Sequence, residues 1–124
     1  MKVTIQQLMD ARLALQGLVG REMSARTAFQ IARIVVQVNE ELQQAEKVRG
    51  DLFERLGEEQ EDGTREITEE HKEEFAEQLE ELITTEIGFS FGRIAVDKLP
   101  DMSLGWAMAL DWLVDMGEEQ DGNS

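Results

Sequence analysis

The chain of 124 residues contains no cysteine, which excludes disulfides and thiolate metal sites and fits a reducing cytoplasm. It has a single proline, and most of its ten glycines fall at segment borders, so long stretches run without a helix breaker. Only one histidine is present, which leaves little material for imidazole chemistry. No apolar run reaches the ~18 residues needed to cross a membrane, and the N-terminus lacks the charged-then-apolar layout of a signal peptide. A soluble, cytoplasmic protein is the expectation.

Acidic residues and helix formers are plentiful. The formal net charge is −15, unevenly spread: residues 1–57 sum to +1, residues 58–81 to −10 and residues 82–124 to −6. Such a field repels nucleic acid and anionic membrane and attracts a basic partner. It also suits an ordinary solvated helix face followed by an acidic loop. Glu, Gln, Leu and Ala dominate, so an all-α fold is expected. A single helical domain over 1–117 and a disordered acidic tail over 118–124 are the expected organisation.

The stretch from Ser24 to Leu56 organises the rest. Ala28, Ile31, Val35, Val38, Leu42, Ala45, Leu52 and Leu56 step by three and four, with Arg49 the one interruption, the a/d seam of a heptad. Phe29, Ala32 and Val36 form a second stripe, so more than one neighbour could pack there. A helix of this length spans roughly 50 Å, whereas a compact globule of this size is only ~35 Å across. The rod is therefore expected to protrude unless another long helix or a second copy covers it.

Around this rod the elements fall in order. Thr4 with Gln7 forms a capping box, and a first helix over about Ile5–Leu18 buries Ile5, Leu8, Met9, the stem of Arg12, Leu15 and Leu18. Ser24 caps the long helix, and Gly57 suits a left-handed residue at its end. A mobile hydrophilic connector with a turn at Asp62-Gly63 leads to a helix capped by Thr68. That helix carries Phe75, Leu79, Leu82, Ile83 and Ile87 on its narrow apolar face. The two helices form an antiparallel hairpin. Alternation over Ile87–Val96 indicates a short strand at Arg93–Asp97, its partner either Lys2–Thr4 or the same segment of another subunit. A last helix over about Leu104–Met116 completes the chain.

No Walker loop, Rossmann glycine pattern, nucleophile elbow or zinc spacing occurs. His71 and Glu74 share a helix face, but a first-row metal wants three or four ligands. The di-iron bundle pattern is Glu-x-x-His from each of two helices, but position 68 is Thr and no second copy exists. No metal and no cofactor are expected. All-α nucleotide pyrophosphohydrolases hold Mg²⁺ with Glu-Glu-x-x-Glu and a later Glu-x-x-Asp. Glu69, Glu70 and Glu73 match the first part, as do Glu73, Glu74 and Glu77, but Glu86 has Phe89 at the third position. Glu118 with Asp121 has the spacing only in the tail. Arg12, Arg21, Arg26 and Arg33 make a basic strip too thin for direct nucleic-acid binding.

Residues 26–58 (RTAFQIARIVVQVNEELQQAEKVRGDLFERLGE), 67–87 (ITEEHKEEFAEQLEELITTEI) and 94–105 (IAVDKLPDMSLG) together resemble a group of small helical proteins encoded by tailed phages and prophages. The resemblance spans about residues 20–105. It implies phage origin, residence in the host cytoplasm, and a role as a virion-assembly accessory or host-factor binder. It supplies no functional residues.

The expected function is non-enzymatic protein–protein contact, with a homo-oligomer, dimer first, among the partners. Phe91, Trp106, Leu110 and Leu113 are the expected apolar contacts. Glu70, Glu73, Glu74, Glu77 and Glu81 are the expected acidic contacts, suited to a basic host or phage protein. An acidic nucleic-acid mimic that inhibits a host defence protein is the second reading, and the Mg²⁺-dependent hydrolase the third.

Overall fold

The computed structural model describes residues 1–116; the tail expected over 118–124 lies outside them. The fold is mostly helical, at 61%, and short strands pair into three two-stranded sheets among the described residues. All-α is thus only an approximate description.

Strand β1 (Lys2–Thr4) runs straight into helix α1 (Ile5–Val19). The switch occurs at Thr4, whose Oγ1 accepts from the Gln7 N–H at 3.1 Å while Gln7 Oε1 accepts from the Thr4 N–H at 2.8 Å. Helix α1 buries Ile5, Leu8, Ala11, Ala14, Leu15 and Leu18. Met9 and Arg12 are exposed instead of buried: they border an open depression of about 840 Å³ where α1, α2 and α3 come together, with Leu42 and Leu82 across from them.

Helix α2 (Ala25–Leu56) is one unbroken 32-residue element, capped by Ser24 Oγ, which accepts from the Thr27 N–H. It passes through Gly50 without a break, and nothing lies near that glycine's missing Cβ. Its buried seam is Thr27, Ile31, Ile34, Val38, Leu52 and Leu56, turned part of a helical step from the one expected. Ala28 is exposed and Val35, Leu42 and Ala45 are only half-buried, because the covering helix packs on the Thr27–Ile34 side. Thr27 tolerates burial because its Oγ1 accepts from the Ser24 hydroxyl at 3.0 Å.

After α2 the chain does not wander. Strands β2 (Gly57–Glu59) and β3 (Arg65–Ile67) form an antiparallel hairpin, where a mobile connector was expected. Gly63, at φ 89°, supplies the left-handed turn residue. Gly57 is extended (φ −90°, ψ 161°), not left-handed. Its glycine is required by crowding, since a Cβ there would lie 2.6 Å from Phe53 O.

The Asp62 carboxylate accepts from both the Thr64 N–H (3.0 Å) and the Thr64 hydroxyl (2.7 Å). These donors hold its carboxyl below the ordinary range. The contribution of a lowered acid is present above its ordinary pKa and is lost as pH falls through the folded one. The turn should therefore loosen only in acid, below the usual carboxylate range. Thr64→Val should move that loosening to higher pH, read from the Asp62 and Gly63 NMR shifts against pH.

Helix α3 (Glu69–Ile83) returns along α2, completing the expected antiparallel hairpin. Thr68 occupies the N-cap but makes no side-chain cap bond, and its hydroxyl oxygen is buried without a hydrogen-bond partner. No residue of α3 is fully buried. Phe75, Leu79, Leu82 and Ile83 are half-buried, with Phe75 edge-on to Phe53 of α2 at 6.3 Å between centroids.

This arrangement resolves the problem of the rod. Helix α1 covers the first half of α2, α3 covers the second half, and the two meet end to end where the Ile5 N–H donates to Thr85 O (3.2 Å). Strand β4 (Glu86–Gly88), leaving α3, pairs antiparallel with β1 entering α1. Residues 86 apart in sequence, such as Lys2 and Gly88, so splice two short helices into one cover. Neither a second long helix nor a second copy is needed on that side.

The remaining chain seals the α1 end of the core. Strand β5 (Ile94–Ala95) forms within the expected segment, but its partner is β6 (Val114–Asp115), in parallel, and not Lys2–Thr4 or another subunit. Helix α4 is short, Leu104–Ala109, capped by Ser103. It stops far before Met116 because Leu110, Trp112, Leu113 and Val114 are all buried. Successive helical positions diverge by 100°, so one helix cannot send all four inward; a turn followed by a strand can.

Candidate functional site

Two surfaces carry the residues singled out above. The first is the outer side of α3. Glu70, Glu73, Glu74, Glu77 and Glu81 are all exposed and recur about once per turn along one side of the helix. Glu74 lies 3.8 Å from His71 Nδ1, and Lys72 is engaged with Glu69 at 3.0 Å. Glu70, Glu73, Glu77 and Glu81 form no ion pair among the described residues. From Glu70 to Glu81 is ~16 Å of helix, over which the five carboxylates follow at uneven axial steps of roughly 4.5, 1.5, 4.5 and 6 Å.

Among the described residues, no group of three or more His, Asp or Glu side chains converges to hold a metal ion, and none of their helices is long and apolar enough to cross a membrane. The displaced ionisations sit away from this ladder. The hydrogen bond between Arg49 and Glu46 lowers the Glu46 carboxyl and raises the Arg49 guanidinium; Asp62 is the third case.

The second surface is apolar, and here the structure redistributes the expected contacts. Leu110 and Leu113 are both fully buried. They pack in the cluster with Leu15, Leu18, Ile31 and Ile94, so neither is available to a partner. Their apolar spacing is the same for a core and an interface. Trp106 is half-buried: its ring lies over Gly17 of α1, with the Arg21 guanidinium 5.2 Å from the ring centroid. Phe91 is half-buried too, edge-on to Phe89 at 6.1 Å, with Arg33 5.5 Å from its ring centroid.

Missing from the expected set are Phe29, at 63% exposure, and Val36, at 56%. With Ala32, Arg33, Gln37, Glu40, Glu41 and Phe91 they line a shallow depression of about 480 Å³ on the outer side of α2. The signal was in the sequence, as the second stripe Phe29, Ala32 and Val36, but periodicity alone does not tell which of two stripes a neighbour covers. A further apolar groove of about 500 Å³ lies among Leu99, Pro100, Met102, Met108, Val114 and Met116, with Asp101 and Asp111 at its edge.

No protein-family model, curated protein or solved structure matches the chain.

Proposed function

We propose that this chain is a non-enzymatic interaction protein of the phage type. It works in the host cytoplasm as an assembly accessory or a host-factor binder, and associates with its own kind. The observation that supports this is the carboxylate ladder of α3, exposed and largely without cations of its own. An array of unneutralised like charge on a thinly packed helix is electrostatically costly to the monomer and is relieved by a basic protein surface.

Changing Glu70, Glu73, Glu74 and Glu77 together to Lys should abolish capture of basic proteins from host lysate. These residues are exposed, so the helical circular dichroism should be unchanged. Retention of the same proteins by the reversed variant contradicts the reading, as does Mg²⁺-dependent nucleotide turnover that is lost in Glu73→Gln.

The concentration of negative charge over residues 58–81, net −10, favours a second reading, in which α3 occupies the nucleic-acid groove of a host defence protein. In that case single-stranded DNA should displace the chain from its captured partner at low salt.

A further inference from the structure

The outer face of α2 has a feature that the acidic ladder does not share: it carries both signs of charge around an apolar centre. Phe29, Ala32 and Val36 are exposed and stand at successive three- and four-residue steps, so they form one stripe along the helix. Asn39 and Gln43 continue the same line and end its apolar character. Arg33 lies beside the stripe, 5.8 Å from the Phe29 ring centroid and 5.5 Å from that of Phe91. Glu40 stands seven residues further on, two turns along the same side of the helix.

Within one chain these charges do not meet. A separation of seven residues is ~10 Å along the axis, and none of Arg33, Glu40 and Glu41 enters an ion pair among the described residues. In a molecule of net charge −15, an arginine held against two aromatic rings without a carboxylate is a group whose counter-charge comes from outside.

We propose that this face is a two-fold interface with a second copy of the chain, in which the α2 helices run antiparallel and Arg33 of each copy meets Glu40 of the other. The proposal deepens the self-association part of the reading above and rests on it. A two-fold contact requires a patch complementary to itself. Reversing the direction of α2 about a point beside Val36 exchanges the levels of Arg33 and Glu40, so both pairs form at once. Val36 then meets its own copy at the axis, and Phe29 lies level with Gln43 and Gln44 of the second copy, where its ring covers their aliphatic stems. A parallel alignment would set Arg33 level with Arg33 and Glu40 level with Glu40. A uniformly basic or acidic partner would meet one repelling end. A second copy satisfies both.

Sedimentation equilibrium of the full chain over a wide concentration range is the test. The expected mass is twice the 14.1 kDa of one chain. Phe29→Ser, Arg33→Glu and Glu40→Arg should each weaken association about tenfold or more, and Arg33→Glu combined with Glu40→Arg should restore it. Leu13→Ser, which removes an even more exposed apolar side chain from α1 (74% exposure), should change nothing. All these positions are exposed, so helical content is retained. A mass that stays at 14.1 kDa, or a double reversal no better than the single ones, overturns the proposal. A monomer that still captures basic proteins removes this interface alone, whereas a dimer that captures none removes the acidic-ladder reading and leaves the interface.

Discussion

Leu113→Ala should destabilise the protein by about 2–5 kcal/mol, the range for emptying a fully buried leucine site. Leu113 has no exposed surface and belongs to the cluster that joins α1, α2 and the C-terminal segment. Its backbone also participates: the Ile94 N–H donates to Leu113 O at 2.8 Å, the first bond of the parallel β5–β6 pair. A cavity here therefore loosens both the apolar cluster and the strand pairing, and the site has little freedom to collapse. Urea unfolding should show the loss as a lower midpoint at constant slope. Leu13→Ala, on the exposed side of α1, should fall within about 0.5 kcal/mol of the parent. An interface role for Leu113 would give the opposite order, with association affected and monomer stability spared.

Gly17→Val should destabilise the protein by overpacking rather than by emptying a core site. A Cβ at position 17 would overlap the Trp106 ring, with Cζ2 at 2.6 Å and Cζ3 at 2.8 Å. That ring is one part of a latch between α1 and the C-terminal segment. Arg21 stacks on it at 5.2 Å, and Arg21 Nη1 donates to Asp101 O at 2.8 Å. A large rigid indole cannot yield by a small rotation, so valine must push it off α1 together with α4. Overpacking typically costs 1–3 kcal/mol, and a β-branched residue brings none of the helix-propensity gain that alanine would. We expect a loss of about 2–3 kcal/mol and a red-shifted, more quenchable Trp106 fluorescence, best read in a Trp112→Phe background. Unchanged emission from Gly17→Val would place Trp106 elsewhere.

These two residues show what was legible in the sequence and what was not. The local signals at Thr4 and Ser24 set both N-caps, and the helix from Ala25 to Leu56 has the expected bounds. The antiparallel return of α3 and the turn at Asp62-Gly63 were equally readable, because each depends on residues close in sequence. Long-range facts were not. That β1 would pair with β4 depends on where two helices end in space. The choice of Thr27 and Ile34 over Ala28 and Val35 depends on the side from which α1 arrives.

The candidate contacts divided on the same ground. Exposure of Glu70, Glu73, Glu74, Glu77 and Glu81 follows from a helix with one narrow apolar face. The burial of Leu110 and Leu113 does not, because an apolar segment reads alike whether its cover is the same chain or another. At Phe91 and Trp106 the rings are half-covered by Arg33 and Arg21, neighbours set by tertiary placement.

The claim on which everything else stands is that α1 and α3 lie end to end on one side of α2 and leave its other side open. The chain has no native cysteine, so spin labels introduced at Gln16 and Glu70, both exposed, report that arrangement alone when diluted into unlabelled protein. One narrow distance distribution centred at roughly 40 Å is expected from the ~1.5 Å rise over the length of α2 that separates them. A distribution centred near roughly 20 Å, the value for two short helices packed side by side, would contradict it.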